Sequence, residues 1–171
     1  MSGRTQKRGA RLGLVAGLVF ALLGVAGASS ERLLLLDMDG RTHDADALLA
    51  AGQPVVLVFW QTWCPSCKRE APELAHAVEK YGDAMKFFGV VSGPDDVIDD
   101  AKVLRVAEEW GHRHPQIRDR DLSLTNRFKV IGTPAIIVLG REGRELYRGH
   151  RLPKDWVAFV SAPPAKAAPT R

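Results

Sequence analysis

Nothing in this chain constrains its fold as tightly as residues 54–72. Val55-Val56-Leu57-Val58-Phe59-Trp60 is an unbroken run of aliphatic and aromatic residues, opened by Pro54. Gln61-Thr62-Trp63 ends the run, and the chain's two cysteines, Cys64 and Cys67, follow with Pro65-Ser66 between them. A strand that is apolar on both faces belongs in the middle of a sheet covered on both sides. Beyond Cys64 the spacing turns helical, with Ala71, Leu74, Ala75 and Val78 at intervals of three and four. The stretch therefore predicts a buried strand that delivers a Cys-x-x-Cys pair to the first turn of a helix over Pro65–Lys80. Pro72 lies inside that helix and predicts a kink, because its ring removes one hydrogen bond and crowds the preceding turn.

The flanking segments alternate in the same way. Leu33-Leu34-Leu35-Leu36 runs into Asp39-Gly40, a turn signal, so a strand or short hairpin is expected over 31–43, followed by a short helix over 44–51. After the cysteine helix, Met85–Val91 reads as a strand and Val97–Trp110 as a helix stopped by Gly111. Gln116–Arg120 reads as a short strand and Leu122–Lys129 as a helical turn. Thr133-Pro134 introduces a strand over 135–139, which Arg141-Glu142-Gly143-Arg144 turns into a partner strand, Glu145–Gly149. A last helix is expected over Pro153–Ser161, with Pro153 in its first turn. The tail, 162–171, holds three prolines and no periodicity and reads as disordered. Strands alternating with helices, then a hairpin and a final helix, predict an α/β fold with a mixed central sheet and helices on both faces.

Net charge is a poor guide here until it is divided. Of 24 basic residues, four (Arg4, Lys7, Arg8 and Arg11) lie in the first thirty positions, where there is no acid. The remainder balances, 20 basic against 20 acidic, so nothing in the folded part points to nucleic acid. The basic start precedes Leu12–Ala28, an uncharged apolar run whose end, Ala26-Gly27-Ala28, has the small-x-small form of a signal-peptidase site. Residues 1–28 are therefore expected to be a signal peptide or an N-terminal membrane anchor, with residues 31–161 as the domain sent across the membrane. The expected localisation is extracytoplasmic, periplasmic, either soluble after cleavage or held at the inner membrane by residues 12–28.

In an oxidising compartment two cysteines can serve as a staple, but a bridge over two residues closes too small a loop to constrain the unfolded chain much. Chemistry suits the pair better. A thiolate at Cys64 would stand where a helix begins, and there unpaired N–H groups and the helix dipole favour an anion by roughly 0.3–1 kcal/mol. Cys67, one turn on, is expected to be the more buried of the two. Cys64 is accordingly the expected nucleophile and Cys67 the resolving thiol. Haem attachment would need His where Lys68 stands. Zinc would need two more ligands from His43, His76, His112, His114 and His150, of which only His112-x-His114 is clustered. Those two read as surface residues beyond a helix end. Copper held by two cysteines and a histidine stays open.

Phe59 to Leu74, with the motif Trp63-Cys64-Pro65-Ser66-Cys67, resembles the active-site segment of the thioredoxin-like superfamily, and more narrowly that of the exported TlpA/ResA/DsbE-type thiol–disulfide oxidoreductases. Gly132-Thr133-Pro134 is similar to that family's cis-proline loop, and the looser resemblance extends over about residues 31–160. It implies a thioredoxin-like fold with an N-terminal strand or hairpin and an insertion before the cis-Pro loop. Seventy positions separate Cys64 from Pro134, and the excess falls around Pro94–Pro115. The acidic start of that insertion, Asp95, Asp96, Asp99 and Asp100, reads as a solvated helix N-terminus.

The resemblance further implies that Pro134 is cis, that Thr133 offers backbone groups to an extended partner segment, and that Trp63, Pro65 and Ser66 border the same substrate-binding surface, Trp63 shielding the dithiol. It also gives meaning to Glu70, six residues after Cys64 and three after Cys67. In the subgroup an acid there is implicated in the dithiol's proton handling. Plain thioredoxins carry a buried aspartate six residues before the first cysteine, where this chain has Val58. By family analogy the substrates are protein disulfides, such as those of apocytochrome c or copper-site cysteines. No nicotinamide or flavin fingerprint appears, so no cofactor beyond the Cys64–Cys67 couple and no resident metal is expected, and re-reduction falls to a membrane electron donor. Pro-Ser between the cysteines leaves an oxidant role open, and a copper-binding, metallochaperone-like assembly factor is the alternative from another class.

Overall fold

A computed structural model describes residues 32–160. The expected leader at 1–28, the tail at 162–171 and the last residue of the expected final helix lie outside the described residues.

The strand expected at the centre is at the centre. It is β3, Val55–Phe59, buried along its whole length. On one side it pairs in parallel with β4, Lys86–Ser92, and β4 pairs in parallel with β5, Gln116–Asp119, at the edge. On the other side it pairs antiparallel with β6, Ala135–Leu139, which pairs antiparallel with β7, Glu145–Gly149. The order β5-β4-β3-β6-β7 is the mixed sheet that the alternation implied. Leu33–Leu36 and its turn form a separate hairpin of β1, Leu34–Leu36, and β2, Thr42–Asp44.

Side-chain alternation along β3 divides the core. Val55, Leu57 and Phe59 point to a layer made with Leu33 and Leu35 and with Ala45 and Leu49 of α1, Ala45–Ala50. Val56 and Val58 point the other way, to Leu74 and Ala77 of α2, Pro65–Tyr81, and to Trp156. A third cluster forms at one end of the sheet, where Trp60, Cys64, Cys67 and Val91 meet Val103, Val106 and Ala107 of α3, Asp100–Glu109. Helix α2 continues through Pro72 to Tyr81.

Two helix starts lie three or more residues from expectation, each because an aspartate caps the helix. Helix α3 starts at Asp100 because Asp99 caps it, its carboxylate accepting from the N–H groups of Ala101 and Lys102 at 2.9 and 3.3 Å. Val97 is left outside and largely exposed. The last helix, α5, spans Val157–Val160, and Asp155, not Pro153, marks its start by accepting from Val157 N at 3.0 Å. The acidic start of the insertion is more than a solvated helix end. Arg118, its side chain only 1 % exposed, donates to Asp100 at 2.6 Å and to the carbonyl of Val91 at 2.6 Å, and Arg120 bonds Asp95 at 2.7 Å. These pairs tie the insertion to the β4–β5 edge. Between β5 and β6 lies α4, Ser123–Arg127.

Candidate active site

The sheet register assembles the site. Phe59 stands opposite Ala135 in the antiparallel β3–β6 pair. The chain leaving Phe59 therefore emerges at the sheet end where the chain enters Ala135. Those two exits carry Cys64 and Pro134, seventy residues apart. The Thr133–Pro134 peptide bond is cis, Pro134 is buried and Thr133 half-buried.

Cys64 is the N-cap of α2, with extended φ/ψ (−85°, 106°) and Pro65 at the first helical position, where the missing N–H costs nothing. Its Sγ accepts the Cys67 N–H at 3.1 Å, so one orphan donor of the helix terminus is spent on sulfur. A thiolate in that position gains the same donor with a full charge on the acceptor. The two sulfurs are joined in a disulfide, with an S–S distance of 2.11 Å. Both side chains belong to the third core cluster, Cys64 at 6 % and Cys67 at 4 % exposure, so the expected contrast in burial is slight.

The outer rim is formed by Trp63, more than half exposed, by Pro65, and by an open groove of about 380 Å³ that runs past Cys64 to Lys68, Glu109 and Trp110. Ser66 is half-buried and its Oγ accepts from Arg69 at 2.7 Å. Trp60, by contrast, is core, 1 % exposed.

Behind the dithiol lies a second, much smaller space of about 10 Å³, at the lower limit for one water molecule. Cys67, Glu70, Pro134 and His112 border it, and so does Val58, at the position of the thioredoxin aspartate. Glu70 reaches it from the second turn of α2, and its Oε2 accepts the Leu152 N–H at 3.1 Å. Burial raises the pKa of Tyr147 and the Glu70 charge raises it further.

His112 and His114 are not surface residues. Gly111, at φ 73°, reverses the chain after α3, and the His112 ring packs against Trp60 and Trp110 with the His114 ring against His112. They are 8 % and 6 % exposed, and among the described residues none of their ring nitrogens has a hydrogen-bond partner. Burial lowers His112 to about 4; burial and then the neighbouring His112 lower His114 to about 3. Gln116 completes this layer. Its Oε1 accepts from the Trp60 indole at 2.9 Å and its Nε2 donates to the His114 carbonyl at 2.7 Å.

The remaining histidines weighed as metal ligands have other surroundings. His43 bonds the buried Asp37 at 2.7 Å, and His150 Nδ1 donates to the Pro134 carbonyl at 2.8 Å, while His76 is exposed on α2. Among the described residues, no three His, Cys, Asp or Glu side chains converge to hold a metal ion. His112, Gln116, His150 and the Leu152 N–H were missed as parts of the site. The only sequence signal for any of them was the His-x-His spacing.

Comparison with known proteins agrees with this geometry. The family model described as Redoxin matches residues 24–155. The chain belongs to the redoxin family. Within it the chain is of the thioredoxin-like, TlpA/ResA/DsbE type. It is similar to the thiol-disulfide oxidoreductase ResA of Geobacillus thermodenitrificans, 29 % identical over 121 residues that cover 69 % of this chain and 65 % of that protein. It is also similar to the thiol:disulfide interchange protein DsbE of Escherichia coli, 30 % identical over 129 residues, covering 73 % and 65 %. The chain thus spans just under two thirds of the length of these two relatives. Among solved structures, MTB dsbF in its mixed oxidized and reduced forms superposes with a TM-score of 0.62 at 25 % identity, covering 77 % of this chain and 94 % of that one.

Proposed function

We propose that this chain is an exported thiol–disulfide oxidoreductase that reduces disulfides in specific protein partners. The observation that carries the reading is the Cys64–Cys67 disulfide at the N-terminus of α2, at the same end of the sheet as the cis Thr133–Pro134 bond. Family membership and the ResA and DsbE relatives support thiol–disulfide exchange as the class of reaction. The apolar run behind a basic start at Arg4–Arg11 supports export.

The Cys64 thiolate attacks one sulfur of the partner disulfide and forms a mixed disulfide, and the other partner sulfur leaves as a thiol. Cys67 then attacks Cys64, releasing the second partner thiol and leaving Cys64–Cys67 oxidised. Thr133 offers backbone groups to the extended partner segment, and Trp63, Pro65 and Ser66 form the rim on which it rests. A membrane electron donor re-reduces the pair. Cytochrome c cysteines and copper-site cysteines are the substrates we assign by analogy with the subgroup.

The test is a trap. The full chain with Cys67→Ser, expressed in an exporting host, is expected to accumulate a reducible mixed disulfide through Cys64, and mass spectrometry of the captured protein identifies the substrate. A second arm fixes direction. Equilibration with a glutathione or thioredoxin couple is expected to give a potential nearer the roughly −270 mV of thioredoxin than the roughly −120 mV of DsbA. No captured partner would sink the reading, and a potential near the DsbA value would make the protein an oxidant.

A further inference from the structure

Pro134 has a single backbone group that can hydrogen-bond, its carbonyl, because a proline nitrogen carries no hydrogen. That carbonyl lies past the end of both ladders of β6, which pairs with β3 as far as Ala135 and with β7 as far as Ile136. A side chain meets it instead. His150 Nδ1 stands 2.8 Å away, and since a carbonyl can only accept, Nδ1 carries the hydrogen. His150 directly follows Gly149, the last residue of β7, so its ring takes over where the strand's own backbone pairing stops.

The segment that carries the ring is itself tied down on both sides. Tyr147 folds over Gly149, where a Cβ would lie 2.3 Å from the phenol oxygen, and donates to the Arg151 carbonyl at 2.7 Å. One residue further on, the Leu152 N–H donates to Glu70 at 3.1 Å and the Leu152 side chain is buried. His150 is itself exposed, so its bond adds little to the packing of the core. What the bond fixes is the chain at Thr133–Pro134. The pyrrolidine ring sets φ of Pro134, and a donor on its carbonyl sets ψ, so the two together decide how Thr133 is carried relative to β6.

We propose that His150 is a positioning residue for partner binding, holding the Pro134 carbonyl so that the Thr133 backbone is set to pair with the main chain around a partner cysteine. The inference rests on the reading that Thr133 receives the partner segment. It deepens that reading by naming the substrate class as cysteine disulfides in extended polypeptide, recognised by their own N–H and C=O groups. Strand addition of this kind draws its affinity from main-chain hydrogen bonds, and those need a receiving edge of fixed geometry.

The test times attack by Cys64 alone, in the reduced full chain carrying Cys67→Ser. The probe is a short peptide whose central cysteine is joined to thionitrobenzoate, alongside the same peptide N-methylated on either side of the cysteine, which cannot add as a strand. In both reactions the Cys64 sulfur bonds the peptide sulfur, and thionitrobenzoate leaves with the electron pair and is read by its absorbance. We expect the parent to prefer the plain peptide by about tenfold or more, and His150→Ala to bring the two rates close together, as the loss of one well-placed hydrogen bond would. His150→Asn, whose amide can put an N–H where Nδ1 stood, should keep most of the preference. His150→Phe, which keeps the ring and loses the donor, should behave as the alanine variant does and decides the matter if that variant does not fold. A purely structural role would slow both peptides alike and leave their ratio unmoved. A preference that survives loss of the donor, or that His150→Asn loses as fully as His150→Ala, overturns this proposal alone. No preference in the parent overturns it together with the reading of Thr133.

Discussion

The backbone N–H of Leu152 donates to Glu70 Oε2 at 3.1 Å, across 82 residues of chain. One carboxylate thus joins the second turn of the cysteine helix to the segment that follows β7, at the edge of the space behind the dithiol. Removing the carboxylate strands the Leu152 N–H. Glu70→Ala is expected to cost about 1–2 kcal/mol and Glu70→Gln, whose amide oxygen can still accept, clearly less. Urea denaturation of the oxidised proteins measures both.

The same substitution has a spectroscopic mark. Burial is the larger cause of the raised Tyr147 pKa and the Glu70 charge the second. Glu70→Gln should therefore move the Tyr147 titration down towards the ordinary phenol value without reaching it. Ultraviolet titration of the tyrosinate band reads this, and an unmoved Tyr147 would separate the two side chains.

Acid should weaken the fold through the buried histidines. Folded His112 and His114 titrate at about 4 and about 3, against 6.5 in the unfolded chain. Below about pH 6.5 the unfolded state therefore binds more protons. Stability is fully present above that pH and is lost as pH falls towards the folded values, on the order of 3 kcal/mol for each ring. Carboxylates add their own acid loss, so the check is a difference. Urea midpoints between about pH 7 and 4 should fall less steeply in the His114→Phe protein, by one proton's worth of slope.

Gly89, in the middle of β4, leaves room for Gln116. A Cβ there would lie 2.1 Å from Gln116 Oε1, the acceptor of the Trp60 indole. Gly89→Ala is expected to cost about 1–3 kcal/mol by overpacking, and Gln116→Ala about 2–4 kcal/mol by stranding the indole N–H and the His114 carbonyl. Both lose the same hydrogen bonds, so the double variant should be more stable than additivity predicts.

Arg118 places a guanidinium in the core beside a single well-aligned acid, with two backbone carbonyls completing its bonds. Arg118→Met should cost less than Arg118→Ala, because the aliphatic stem fills the space. Asp100→Ala should cost about 1–3 kcal/mol, since Asp100 is 41 % exposed and Arg118 keeps its two carbonyls and the weaker Asp95 contact. Chemical denaturation of the three variants ranks them.

What could be read from sequence was what short-range patterning carries. The apolar run at Val55–Trp60, the helix start at Cys64-Pro65 and the Thr133-Pro134 approach to β6 are all local, and each stands where its residues imply. Burial of His112 and His114 is not local. It depends on Gly111 turning the chain beneath Trp60, and a histidine after a helix stop looks the same whether it faces solvent or an indole. Asp95 and Asp100 likewise find Arg118 and Arg120 only once β5 joins the sheet edge. The start of the last helix was misread because Pro153 suits a first turn, yet the capping carboxylate belongs to Asp155. Glu70 was legible as a residue of interest but its partner, a backbone N–H far along the chain, was not.

The central claim is that Cys64 attacks and Cys67 resolves. The direct measurement is the fate of a disulfide-linked peptide offered in excess to the reduced, purified single variants. The account predicts that Cys67→Ser holds one peptide per chain through Cys64, released by dithiothreitol, and that Cys64→Ser holds essentially none at neutral pH. Capture by Cys67 in place of Cys64, or equal capture by both, would contradict it.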